Sequence, residues 1–301
     1  MTTFCGIELA HPVINGSGTF DAIAARRAFG DALDEQFPFS AFVSKTITLR
    51  PRAGNPPPRL WEASAGLINS IGLPNKGLAG YLELDLPQLA RLPVPLITNV
   101  MGSTAAEVIE LVEAVGARDE VAAIELNVSC PNVETGLDIG ADARSLGAFV
   151  RAIRPHALKP LIVKLTPNTA DVAAVAEAAA AEGADAVSLI NTLRAMALTS
   201  TGEAWLGGGA GGLSGPAVFA VALAQVTAVA RRVDIPIVGM GGVRATKHAQ
   251  ELLSAGASLV AVGTESFRDP LAGARIAKGL RETPANRAEH TASGAATRQV
   301  A

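Results

Sequence analysis

Cysteine is almost absent: the chain carries two thiols, Cys5 and Cys130, among 301 residues. Two thiols cannot supply the four thiolates of an ordinary iron–sulfur cluster, and no C-x-x-C pair occurs. A disulfide between them is not expected in a cytosolic chain. The four histidines (His11, His156, His248 and His290) show no ligand spacing, so no metal site is expected. Aromatic residues make up only 4%, with one Tyr and two Trp, which disfavours aromatic stacking platforms. Basic runs are missing as well. With a net charge of -3 and a pI of about 5.9, the chain has no patch suited to neutralising nucleic-acid phosphates. No stretch approaches the roughly 20 uninterrupted apolar residues that cross a bilayer. The most apolar helical candidate, from Ala217, is broken by Gln225 and Thr227. The N-terminal residues "MTTFCGIELAHP" lack a basic start followed by an apolar stretch. The expectation is a cytoplasmic protein with no membrane or nucleic-acid partner.

Glycine and short aliphatic runs are plentiful. Eight runs rich in Val, Ile and Leu lie at 12–16, 41–46, 95–100, 123–128, 161–166, 186–191, 236–242 and 259–264. They are apolar on both alternating sets of positions, as suits parallel strands covered on both faces. Ala-rich segments of helical period fill the gaps, starting at Thr104 (with Ser103 or Thr104 as N-cap), at Thr169 and at Thr246. Eight strands alternating with helices predict an α/β fold, a (β/α)8 TIM barrel, spanning residues 1–301 as one domain. Two Pro- and Gly-rich segments, 47–94 and 192–216, read as insertions over the C-terminal mouth. The small, polar tail from about 283 reads as loosely held.

In such a barrel, chemistry sits at the C-terminal strand ends. Five of these ends carry polar side chains: Lys45, Asn99, Asn127, Lys164 and Asn191. Any one of them alone is more often a paired structural residue. Five at equivalent places indicate a polar pocket, because unpaired buried polar groups are costly. The last two strands end in Gly241-Gly242 and Gly263-Thr264, where backbone N–H groups can approach a phosphate. Glycines that only make tight turns are the plainer reading of either pair alone. A phosphorylated cofactor with an electron-accepting ring would give both lysines partners. Cys130, in "IELNVSCPNVETG", stands just past the fourth strand. By itself it could be packing, a metal ligand, half of a disulfide, or a reactive base or nucleophile.

Taken together, "NGSGTF", "VSKTITLRPRAGNPPPR", "LINSIGLPNKG", "IELNVSCPNV", "VKLTPN", "INTL", "GGLSGPA", "IVGMGGV" and "VAVGTESF" follow in order from residue 6 to about 280. In this they resemble the class 1 dihydroorotate dehydrogenases, most closely the class 1B catalytic subunit. The resemblance implies one FMN per chain and oxidation of (S)-dihydroorotate to orotate in UMP biosynthesis. It implies Cys130 as the base. Lys45, Asn69, Ser70, Ile71, Gly72, Leu73, Asn127, Asn191 and Thr192 would hold the substrate. Ser17, Gly18, Lys45, Thr46, Asn99, Asn127, Lys164, Ile190 and Gly215 would line the flavin, with Gly241, Gly242, Gly263 and Thr264 at its phosphate. Class 1B further implies a homodimeric core joined to a subunit carrying FAD and a [2Fe–2S] cluster, a heterotetramer passing electrons to NAD. The chain departs from the family pattern in the glycine-rich "LTSTGEAWLGGGAGGLSGP" and in "NKG" where "NPG" is frequent. Cys5 matches nothing catalytic and reads as packing. The alternatives are a fumarate-linked class 1A enzyme, a flavoprotein like the dihydropyrimidine dehydrogenases, a non-catalytic pyrimidine-binding barrel, and a phosphate-binding isomerase or lyase.

Overall fold

A computed structural model describes residues 1–129 and 139–282. Eight parallel strands form one sheet: β1 (Val13–Asn15), β2 (Phe42–Val43), β3 (Leu96–Val100), β4 (Val121–Asn127), β5 (Leu161–Lys164), β6 (Ala186–Leu189), β7 (Ile237–Met240) and β8 (Leu259–Val262). Neighbours run in the order β1-β8-β7-β6-β5-β4-β3-β2, so every strand except β1 and β2 has two ladder partners. The expected eight runs are these eight strands, and the architecture is a TIM barrel.

The two ends of the sheet meet through a side chain. The Asn15 amide donates to Val43 O at 2.8 Å and accepts from Val43 N–H at 2.8 Å. Ser40 N–H adds a bond to Val13 O at 3.0 Å. A primary amide carries the donor and the acceptor of a peptide group, so Asn15 stands in for a missing ladder residue.

Alternation along the strands separates two apolar layers. One set, including Val13, Phe42, Val100, Leu126, Val163 and Val262, packs outward on the helices. The other set, including Ile14, Ile97, Ala123, Ile162, Ala186, Val238 and Ala261, fills the lower interior. An N-terminal hairpin, Thr2–Phe4 paired with Ile7–Leu9, joins this inner cluster through Phe4 and Leu9. Cys5 packs against the same cluster, as a packing role requires, and burial pushes its thiol up to about 11.

Two expectations shift. The helix expected from Thr169 spans Val172–Ala181, because the Asp171 side chain caps the N–H groups of Ala173 and Ala174. Thr169 instead donates to Ala141 O at 2.8 Å. The 47–94 segment is also not a single mouth insertion. Its latter part, Gly77–Leu89, is helical, and Leu78, Tyr81, Leu86 and Leu89 bury into the outer core. Of the alternative caps at the next helix, Thr104 is the one used, accepting from Glu107 N–H.

The remaining insertions build a four-stranded antiparallel sheet that sequence periodicity did not disclose. Leu60–Ala63 pairs with Gly66–Asn69, which pairs with Gly211–Ser214, which pairs with Leu193–Ala195. Glycine makes this association possible. A Cβ on Gly66 would lie 2.0 Å from Ser214 O, and one on Gly207 would lie 2.2 Å from Pro56 O. No helix among the described residues is long and apolar enough to cross a membrane.

Candidate active site

The barrel interior grades from apolar to polar along the strands. Period two puts Ala123, Glu125 and Asn127 on one face of β4, and Ile162 and Lys164 on one face of β5. Above the apolar floor lies a buried polar layer. Glu125 accepts from Asn99 Nδ2 at 2.5 Å and from Ser188 Oγ at 2.8 Å, and its Oε1 lies 3.8 Å from Lys164 Nζ. Asn99, Lys164 and Glu125 are 0%, 6% and 2% exposed. Asn99 Oδ1 has no hydrogen-bond partner among the described residues.

Above this layer opens a cavity of about 1010 Å³, bounded by strand ends on one side and the accessory sheet on the other. Lys45, Asn69, Ile71, Leu73, Asn127, Asn191 and Thr192 line it, as do Ser17, Gly18, Thr46, Lys164, Ile190, Gly215, Gly241, Gly242, Gly263 and Thr264. Three expected residues do not line it. Asn99 lies beneath, on Glu125. Ser70 receives hydrogen bonds from Asn55 Nδ2 at both Oγ and its carbonyl, and Gly72 packs against Asn55. The strand ends at Asn69, and the irregular turn beyond it, with Gly72 and Leu73 at φ of 73° and 54°, sends Ile71 and Leu73 to the cavity and Ser70 and Gly72 to Asn55. Cys130 lies outside the described residues, but Ser129, which precedes it, lines the cavity.

The mouth is a network of amides. Asn191 Nδ2 donates to Ser129 Oγ at 2.9 Å and to Asn127 Oδ1 at 3.4 Å, and Asn127 Oδ1 also accepts from Ser129 N–H. Asn191 Oδ1 accepts from Thr192 N–H, and Asn69 Nδ2 donates to Gly212 O at 3.2 Å. Lys45 stands open to the cavity. Burial of part of its side chain lowers its pKa, opposed by Asp21 and reinforced by Arg59. At the opposite end, Gly215, Gly241 and Gly242 adopt φ of 89°, 122° and 73°, conformations that favour glycine. Phe219–Ala230 runs on from a short 3-10 turn, Pro216–Val218, which starts at the cavity-lining Gly215 without a capping side chain, unlike Ala105–Gly116 and Val172–Ala181. Uncapped first-turn N–H groups beside glycine turns suit an anion.

Two glycine turns suited to an anion, a buried lysine on the floor and amides at the mouth sit in one cavity, and comparison with known proteins decides the family. The dihydroorotate dehydrogenase family model matches residues 1–283. The chain belongs to the dihydroorotate dehydrogenase family. A relative from Pelobacter propionicus, "Dihydroorotate dehydrogenase B (NAD(+)), catalytic subunit", is 45% identical over 277 residues, covering 91% of this chain and 90% of that protein. Relatives bearing the same name from Geobacter sulfurreducens and Desulforudis audaxviator are 43% and 42% identical, covering 90% and 92% of this chain and 88% and 90% of their own lengths. The fold is shared with a dihydroorotate dehydrogenase from Eimeria tenella solved in complex with ferulenol, at a TM-score of 0.75 and 22% identity, covering 93% of this chain and 82% of that one. As a dihydroorotate dehydrogenase the chain is an oxidoreductase. The name "catalytic subunit" implies a partner subunit for those relatives.

Within this family site, Glu125 and Ser129 were not among the sequence-expected residues. Glu125 had a legible signal: it lies two positions before Asn127 on a strand, hence on the same face. Ser129 had none beyond its adjacency to Cys130.

Proposed function

We propose that this chain oxidises (S)-dihydroorotate to orotate for UMP biosynthesis, as the FMN-bearing catalytic subunit of an NAD-linked enzyme. A single cavity that joins a glycine cradle at one end to a buried lysine layer and a ring of asparagines at the other carries this reading. The groups present fit FMN. Gly215, Gly241, Gly242, Gly263 and Thr264 would hold its phosphate. Ser17, Gly18, Thr46, Lys164 and Ile190 would line its ring system, and the unpartnered Asn99 Oδ1 adds an acceptor beneath them. FMN bound there would supply the hydride acceptor.

The chain's own residues do the rest. Asn69, Asn127 and Asn191 each offer a donor and an acceptor, matching the amide-like edge of a dihydropyrimidine. Thr192 is fixed beside them by Asn191. Lys45 would pair with the substrate carboxylate; burial of part of its side chain lowers its pKa, and an anion beside it would raise it again. Cys130, next to the cavity-lining Ser129, takes the C5 proton as a base while C6 gives up hydride. Ile71 and Leu73 exclude water over the ring.

Electrons leave through a partner subunit carrying FAD and a [2Fe–2S] cluster, with two copies of each chain in the assembly. The whole chain acts as one FMN-binding barrel domain in the cytoplasm. The test is anaerobic addition of (S)-dihydroorotate to purified chain loaded with FMN. Bleaching of the flavin band by dihydroorotate and not by dihydrouracil is expected. A colourless protein that takes up no FMN would turn the reading toward a phosphate-binding isomerase or lyase.

A further inference from the structure

One buried charge in the site has no role in binding or proton transfer. Glu125 does not line the cavity; it stands behind Lys164, which does. Its carboxylate holds three groups at once: the Asn99 amide, the Ser188 hydroxyl and the Lys164 ammonium. A carboxylate only accepts, so it fixes the Asn99 amide with its nitrogen toward Glu125 and its oxygen free. A buried ammonium without a counter-charge is strongly unfavourable, and Glu125 is the ion-pair partner described for Lys164. The arrangement delivers a cation to the cavity floor and at the same time opposes part of its field with an anion 3.8 Å behind it.

We propose that Glu125 is a positioning residue that sets the reduction potential of the bound cofactor by offsetting the charge of Lys164. This rests on the FMN reading above. Reduced flavin carries negative charge that a neighbouring cation stabilises. With Glu125 ionised, Lys164 supplies only part of its field. With Glu125 neutral, the full cation faces the ring and the reduced form is favoured more. The two electrons come from dihydroorotate in either case, so the residue changes the driving force and not the stoichiometry.

The test is the midpoint potential of FMN in the holoenzyme, measured by dye equilibration for the native chain and for Glu125→Gln. Glutamine keeps the size and the acceptor for Asn99 and removes the charge. The expected result is FMN retained, with the reduced form favoured at least tenfold more, a rise of about 30 mV for a two-electron couple. An unchanged or lowered potential with FMN bound overturns the proposal. Should Glu125→Gln fail to fold, Ser188→Ala gives the opposite reading. Losing the hydroxyl leaves the carboxylate less screened and lowers the potential, and no change there overturns the proposal too. A native chain that takes up no FMN sinks the cofactor reading itself, whereas equal FMN occupancy with equal potentials sinks only the role of Glu125.

Discussion

Asn15 and Val43 close the barrel: one side-chain amide exchanges two 2.8 Å hydrogen bonds with one backbone residue across a seam that has no ladder. Both groups of Val43 are fully sequestered, and Asn15 itself is 0% exposed. Asn15→Ala leaves a buried N–H and a buried C=O unpaired, a loss of about 2–4 kcal/mol. Asn15→Asp keeps the acceptor but sets a buried carboxylate oxygen against the Val43 carbonyl, so it destabilises at least as much as alanine. Urea denaturation of the three proteins reads the order directly. Equal midpoints for native and alanine variants would show that the seam is held by packing alone.

Gly207, Gly208, Gly211 and Gly212 are packing residues, not slack, whereas Gly202 and Gly209 face open space. A Cβ on Gly212 would lie 1.9 Å from Thr192 Oγ1, and Gly212 O accepts from Asn69 Nδ2. Gly212→Ala must therefore move two cavity-lining side chains together. The KM for dihydroorotate is expected to rise about 10- to 100-fold, the scale of a misplacement near 1 Å. FMN content should stay near native, because the glycine cradle is at the other end of the cavity. Steady-state kinetics with flavin quantitation separates the two, and an unaltered KM would remove Gly212 from the substrate side.

The strands were legible because each is a short apolar run bounded by turns, and eight of them leave few topologies. The polar strand ends were legible for the same reason, since Asn99, Asn127 and Lys164 break otherwise apolar runs. Residues at 60–69 and 193–214 were read only as insertions. Their pairing is between segments far apart in sequence, and the glycines that permit it carry no periodic signal. Ser70 and Gly72 show the limit of carrying roles by motif: the motif names five consecutive positions, and the left-handed turn at Gly72-Leu73 leaves two of them facing Asn55 instead of the cavity. Glu125 shows the converse, a residue absent from the motif's roles that the strand period places on the site's face.

His11 makes stability depend on pH in a narrow window. Its Nδ1 accepts from Val13 N–H at 3.3 Å, and burial, with Arg281 adding, lowers its pKa to about 4 from the ordinary 6.5. Between those values the unfolded chain binds a proton that the native state does not. Its contribution is fully present above pH 6.5 and is lost as pH falls toward 4. With the side chain only partly buried, solvent screening holds the loss to about 1–2 kcal/mol. His11→Gln keeps an acceptor and cannot titrate. The difference between native and variant unfolding free energies should therefore change from pH 7 to 4.5 and be flat above 7; a difference that is constant over the whole range would refute the assignment.

The proposed base is Cys130. Its neighbour Ser129 is held in the cavity wall by Asn191, which also contacts Asn127. Truncating the thiol leaves this amide network in place. Cys130→Ala should therefore retain FMN and bind orotate with near-native affinity while oxidising dihydroorotate more slowly by about 10²–10⁴-fold, the usual worth of a positioned base. Cys130→Ser keeps an oxygen at the same place, but a hydroxyl is a far weaker acid than a thiol. Its rate should climb with pH into the alkaline range where the native enzyme has already levelled off. Stopped-flow reduction of the flavin, followed from pH 6 to 10, reads both variants without the partner subunit. Near-native reduction by the alanine variant at neutral pH would move the proton to another acceptor, and the hydroxyl of Ser129 would be the first to test.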